Sequence, residues 1–117
     1  MQIHLFDLDQ HAQGYSAGQT VFQPGDPGEP MYAVLRGTVD IIIHGKTVET
    51  VGPGGVFGEM GLVEGRPHIA SAVVSTDAKL VPIDKSRFMF LVQQNPYFAL
   101  QLMAVMAERL RRMDEKI

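Results

Sequence analysis

The hydrophobic positions change their period near Asp84. Before it, short apolar stretches are cut at close intervals by Gly, Pro and Asp; after it, apolar residues recur at helical spacing. Thr20-Val21-Phe22, Met31 to Leu35, Val39 to Ile43, Thr47 to Val51, Ile69 to Ser75 and Ala78 to Ile83 read as strands rich in β-branched residues. Gln23-Pro24-Gly25-Asp26, Arg36-Gly37, His44-Gly45-Lys46 and Thr76-Asp77 read as the turns between them. Ile3, Leu5, Phe6 and Leu8 fit either a short helix or an extended lead-in that Gly14 closes. Short strands spaced ~8–12 residues apart indicate a sandwich or barrel.

Beyond Asp84 the pattern is helical. Asp84 or Ser86 can cap a first helix whose apolar face is Phe88, Leu91 and Val92. Asn95-Pro96 interrupts it, with Asn95 as cap and Pro96 at the first position of a second helix. Met103, Met106, Leu110, Met113 and Ile117 then recur as a heptad-like seam, with Leu102 and Val105 on a neighbouring face. A helix apolar toward two partners can pack on the β-structure and on a second copy of itself, so a homodimer through this helix is expected.

Composition narrows the class. The 117 residues suit one domain, 1–117, with β-structure over roughly 14–84 and helices over roughly 85–117. A net charge of −3 gives no basic field to recruit nucleic acid. No cysteine is present, which excludes disulfides and thiolate metal sites. No apolar run approaches the ~20 residues of a membrane span, and the start lacks a signal-peptide pattern, so a cytoplasmic protein is expected.

The stretch from Gly52 to Val73 concentrates the candidate chemistry. Glycines crowd its first half, and Gly58 directly precedes a carboxylate in an apolar setting, Phe57-Gly58-Glu59-Met60. Glycine permits left-handed backbone and close approach to a ligand, and amides at the start of a helical turn attract anions. A carboxylate there can accept hydrogen bonds from a sugar hydroxyl.

Phe57 to Val73 resembles the phosphate-binding cassette of the cyclic nucleotide-binding domains, the family of the catabolite activator protein and the kinase regulatory subunits. Gly25, Tyr32 and Gly37 match the family's early glycine pattern, and Asn95-Pro96 through Glu115-Lys116 resembles its long helix. The resemblance implies a jelly-roll-like β-barrel of about eight short strands, a hinge helix and a long C-terminal helix. It implies cAMP or cGMP as ligand and no metal or other cofactor. Phe57, Gly58, Glu59, Met60, His68, Ile69, Ala70, Ser71 and Arg109 are the ligand-binding candidates, with Glu59 accepting the ribose 2′-hydroxyl. A signal would pass through the C-terminal helices to a downstream protein.

Each candidate also has a plainer reading. Glu59 is otherwise a solvated carboxylate in a turn, although its apolar neighbours disfavour an unpartnered charge there. His68 stands where the family places its phosphate-pairing arginine. An imidazole offers one donor per nitrogen and is mostly neutral at pH 7, so phosphate binding through it would weaken, or the pocket has lost its ligand. Arg66 can substitute, but that register puts Pro67, which has no amide, where an amide is needed. Ile69 lacks a hydroxyl, which Ser71 can supply unless it faces solvent. Arg109 is otherwise the solvated flank of the helical seam. Met113 and Asp114 fall where relatives carry hydroxyl residues near the purine and reproduce neither contact.

Two other classes are disfavoured. A cupin-like enzyme needs paired histidines on one strand, but His4, His11, His44 and His68 are scattered and no His-x-His occurs. No nucleophile motif is present, and Gly52-x-Gly54 is not followed by the long helix of a dinucleotide site. Specific DNA binding requires a helix-turn-helix beyond the long helix, and the sequence stops at Ile117, so none is expected of this chain. The remaining alternative to a ligand sensor is a degenerate fold serving as a dimerisation or protein-interaction module.

Overall fold

The computed structural model describes Ile3 and residues 11–115, with side chains as far as Arg112. Strands β1 (Gln13–Tyr15), β2 (Thr20–Phe22), β3 (Met31–Ile43), β4 (Lys46–Val51) and β5 (Val56–Phe57) precede a short helix, α1 (Glu59–Glu64). Strand β6 (Ser71–Ile83) and helices α2 (Lys85–Gln94) and α3 (Pro96–Glu115) follow. The six strands form one sheet: β3 pairs with β6, β1 and β2 lie against β6, and β4 and β5 lie against β3. Every pairing is antiparallel.

Two expected turns are not turns, and the expected eight or so short strands are six among the described residues. Arg36-Gly37 lies inside β3 and Thr76-Asp77 inside β6, so four expected strands merge into two of 13 residues each. The β3–β6 register shifts between Val34 and Arg36, Arg36 and Thr38, and Thr38 and Val39. Gly37, at φ 76°, therefore marks an irregularity in a continuing strand, and a Cβ there would lie 2.2 Å from the Asp77 carbonyl oxygen. The shift has a use. Val34 and Val39 are an odd number of residues apart and would face opposite sides of a regular strand, yet both lie in one core.

Other boundaries differ in smaller ways. Gly14 sits within β1, paired with Lys79, instead of closing an N-terminal element. Strand β6 starts at Ser71, two residues after the expected Ile69. The His44-Gly45 hairpin is as expected, with Ile43 opposite Lys46 and both turn residues left-handed. Of the expected N-terminal apolar set, Leu5, Phe6 and Leu8 lie outside the described residues; Ile3 is buried and donates its amide to Gly54 O at 2.6 Å.

Alternation along the strands creates two cores. Phe22, Val34, Val39, Val51, Phe57, Ala72, Val74, Ala78 and Leu80 form one entirely from strand residues, so the sheet must fold over on itself to bury them. The residues between them face the other way: Met31, Ala33, Val56, Val81 and Ile83 pack with Leu62 of α1 and with Phe98, Leu102 and Val105 of α3. Helix α2 is capped by Asp84, whose Oδ1 accepts from Arg87 N at 2.7 Å, and lays Phe88, Leu91 and Val92 on the same core. Helix α3 starts at Pro96, as expected. Its Leu102 and Val105 face the sheet while Leu100, Met103 and Leu110 stay exposed, so it is apolar on two sides; Met106 of the expected seam instead packs, partly buried, on the core, and Ile117 lies outside the described residues. No helix among the described residues is long and apolar enough to cross a membrane.

Candidate functional site

Strand β5 places the site. Phe57 is held in the strand core, stacked on Tyr32 with centroids 5.3 Å apart. The chain must then turn inward at once to start α1. Gly58 makes that turn at φ 79°, where a Cβ would approach the Phe22 ring at 3.1 Å and His68 Cε1 at 3.3 Å. Helix α1 lies directly on the 23–30 loop: a Cβ on Gly61 would meet Gly28 Cα at 2.7 Å, and one on Gly28 would meet Gly61 O at 2.6 Å. The backbone fixes the same approach elsewhere, with His68 N donating to Asp26 O and Gly25 N to His68 O, both at 2.9 Å.

This path leaves Glu59 at the first position of α1 with its side chain inward and 3% of the residue exposed. Its partner comes from α3. Arg109 Nη1 is ion-paired with Glu59 Oε1. The same guanidinium donates from Nε to Glu49 Oε1 at 2.9 Å and from Nη2 to Glu49 Oε2 at 3.0 Å, and Nη2 also donates to Val56 O. One fork thus joins α3, β4, β5 and α1, and Arg109 is not the solvated flank of a seam. Burial pushes the Glu49 carboxyl up, but the hydrogen bonds and charge of Arg109, with Arg112 behind, outweigh it and hold it below its usual value. Glu49 is therefore ionised at neutral pH.

His68 is buried, its ring stacked flat on Phe22 with centroids 3.7 Å apart and planes 7° from parallel. Burial lowers its pKa from the ordinary 6.5, opposed by the charge of Asp26. Its neighbours diverge: Ile69 is 80% exposed, while Ala70 and Ser71 are half-buried. Met60 is on the exposed side of α1, and Arg66 is exposed in the turn after it. The structure thus gathers Phe57, Gly58, Glu59, His68 and Arg109 about one region and leaves Met60, Arg66 and Ile69 facing outward. Nothing is described for the Met113 and Asp114 side chains.

A cavity of about 310 Å³ opens beside Arg109, lined by Glu49, Val56, Val105, Glu108 and Arg112 among others. That volume is at the low end of the ~300–1,000 Å³ common for small-molecule sites. A larger cleft of about 480 Å³, lined by His11, Glu29 and Arg87 among others, contains none of the candidate residues. No group of acidic or histidine side chains among the described residues is arranged to hold a metal. Sequence reasoning missed Glu49, Phe22, Asp26 and Gly28. Asp26 carried only turn chemistry in sequence and Phe22 only strand propensity, while Gly28 carried no reading of its own. Glu49 interrupts the alternation of β4 with a charge on its half-buried position, a usable but weak signal.

The site thus combines a folded-over antiparallel sheet, a glycine-rich β5–α1 turn and a buried carboxylate paired with the C-terminal helix. The chain belongs to the cyclic nucleotide-binding domain family, whose profile matches residues 12–95. It is 40% identical over 73 residues to a cAMP-dependent protein kinase regulatory subunit of Eremothecium gossypii, covering 62% of this chain and 16% of that protein. The catabolite activator protein of Thermus thermophilus superposes with a TM-score of 0.82 at 33% identity, over 90% of this chain and 52% of that one. A protein from a cyclic-GMP-dependent signalling pathway of bacterial phytopathogenesis superposes with a TM-score of 0.78 at 26% identity, over 93% and 92% of the two chains. The chain therefore spans about half of the Thermus protein and a much smaller part of the kinase subunit.

The buried imidazole makes folding sensitive to mild acid. Because the folded pKa of His68 lies below 6.5, the unfolded chain takes up the proton first as pH falls. Stability from this group is complete above pH 6.5, declines below it, and levels off beneath the folded pKa. Melting curves between pH 7.5 and 5 should show a steeper acid loss for the native chain than for His68→Gln. Parallel pH profiles would show that His68 is not held neutral by the fold.

Proposed function

We propose that this chain is a cytoplasmic, non-catalytic ligand-sensing domain that captures a cyclic nucleotide, cAMP or cGMP, in the segment Phe57–Ser71. The observation that carries the reading is the buried Glu59 behind left-handed Gly58, bound to a guanidinium from α3. A ribose hydroxyl donating to Glu59 would enter the coordination of Arg109, and any change there is felt by β4, β5 and α3 together. The backbone amides about Ile69 and Ala70, with Ser71, would face the phosphate. Ligand capture would then reposition α3, changing the geometry of a homodimer or the surface offered to a downstream protein. No specific DNA binding is assigned to this chain.

One observation favours a second reading, a pocket that no longer binds nucleotide. His68, at the position of the family's phosphate-pairing arginine, is buried against Phe22 and biased toward its neutral form. A neutral imidazole gives up the charge-assisted hydrogen bond, worth roughly 1.5–3 kcal/mol. In that case the exposed Leu100, Met103 and Leu110 face of α3 would be the working surface.

Thermal unfolding with cAMP, cGMP and 5′-AMP separates the two. Ligand at ~100 times its dissociation constant adds roughly 2.7 kcal/mol, a rise of about ten degrees for a domain of this size. A rise with a cyclic nucleotide and not with 5′-AMP is expected, and Glu59→Ala should weaken binding by about tenfold or more. No rise with either cyclic nucleotide leaves the degenerate reading. The homodimer has its own check in sedimentation at micromolar concentration, where a monomeric mass contradicts it.

A further inference from the structure

The cavity beside Arg109 is lined by charged groups of only two kinds, and they suit one nucleobase. Glu49 and Glu108 are acceptors; Arg109 and Arg112 are donors. No Asn or Gln, which present one donor and one acceptor together, lines it, and Thr50, which does, already gives its hydroxyl hydrogen to Asp40 Oδ1 at 2.7 Å. Adenine is mixed on both of its outer edges: N7 accepts beside the N6 amine that donates, and N1 accepts beside the same amine. Guanine, unlike adenine, also offers two neighbouring pairs of a single kind. Its O6 and N7 both accept, which fits an arginine fork, and its N1–H and N2 amine both donate, which fits a carboxylate. We infer that Glu49 and Arg112 read the base of the bound cyclic nucleotide, and that this site selects guanine over adenine.

This deepens the cyclic-nucleotide reading and rests on it. The placement is supported by connectivity: the guanidinium that binds Glu59, the proposed ribose acceptor, also binds Glu49, so a base reaching past the ribose meets the cavity wall. Glu49 accepts from Arg109 on both oxygens and has a further lone pair on each. Arg112 is half-exposed, and its Nη2 stands 3.7 Å from Glu49 and 3.9 Å from Glu108. Those separations exceed hydrogen-bond distance, so its donors can be drawn to a ligand with little loss. The ionised state of Glu49 at neutral pH keeps it an acceptor only.

Calorimetric titration of the whole chain with cGMP and with cAMP tests the inference, alongside the variants Glu49→Gln and Arg112→Gln. The native chain should bind cGMP at least about tenfold more tightly than cAMP, the scale of one matched bidentate contact. Each variant replaces a single-sign group by a mixed one and should shrink the ratio by several-fold or more, mainly by weakening cGMP. Arg112→Gln changes a half-exposed side chain and keeps the test open if Glu49→Gln disturbs the Arg109 bridge. Equal binding, a preference for cAMP, or an unchanged ratio in both variants overturns the base selection while leaving cyclic-nucleotide capture in place. Binding of neither nucleotide overturns that capture and this inference with it.

Discussion

A carboxylate taken out of water must be given a cation, and Glu59 draws its cation from the long C-terminal helix. Removing one partner of a buried pair costs about 3–5 kcal/mol, because the charge left behind has no solvent to return to. Arg109 does more than neutralise Glu59, since its remaining donors hold Glu49 of β4 and the carbonyl of Val56 in β5. Four elements are thereby referenced to one planar group. Arginine suits this role because its fork stays charged and offers five donors in fixed directions.

Everything upstream serves to bring Glu59 to that fork. The pairing of Tyr32 with Phe57 sets β5 on β3, and Gly58 then turns the chain where any side chain would strike Phe22 or His68. Gly28 and Gly61 allow the 23–30 loop and α1 to touch backbone to backbone. The apolar side of α3 supplies the other half of the fit: Phe98, Leu102 and Val105 fix the helix on the sheet so that Arg109, one turn beyond Val105, points at the network. Hydrophobic burial provides the strength and the ion pairs provide the alignment.

Much of this was legible in sequence where the chemistry is local. The change of period at Asp84, the Asp84 cap, the Pro96 start and the two-sided apolarity of α3 follow from side-chain spacing and capping alone. Glu59 stood out because a charge between Phe57 and Met60 needs a partner. The expected turns at Arg36-Gly37 and Thr76-Asp77 failed because glycine and aspartate mark a bulge as readily as a reversal, and only the opposite strand decides which. Strand β5 has two residues and no alternation to read. Glu49 as the second partner of Arg109, and Phe22 as the floor beneath His68, are contacts between distant segments, which spacing along one segment does not encode.

The coupling of the glycine turn to α3 through Arg109 is tested most directly by amide hydrogen exchange with and without saturating cyclic nucleotide. Exchange should slow in Gly58–Leu62 and, together with it, in the turns of α3 around Arg109, because both share the guanidinium that a ligand on Glu59 would meet. Protection confined to Gly58–Leu62 with α3 unchanged, or no protection in either segment, would contradict the account.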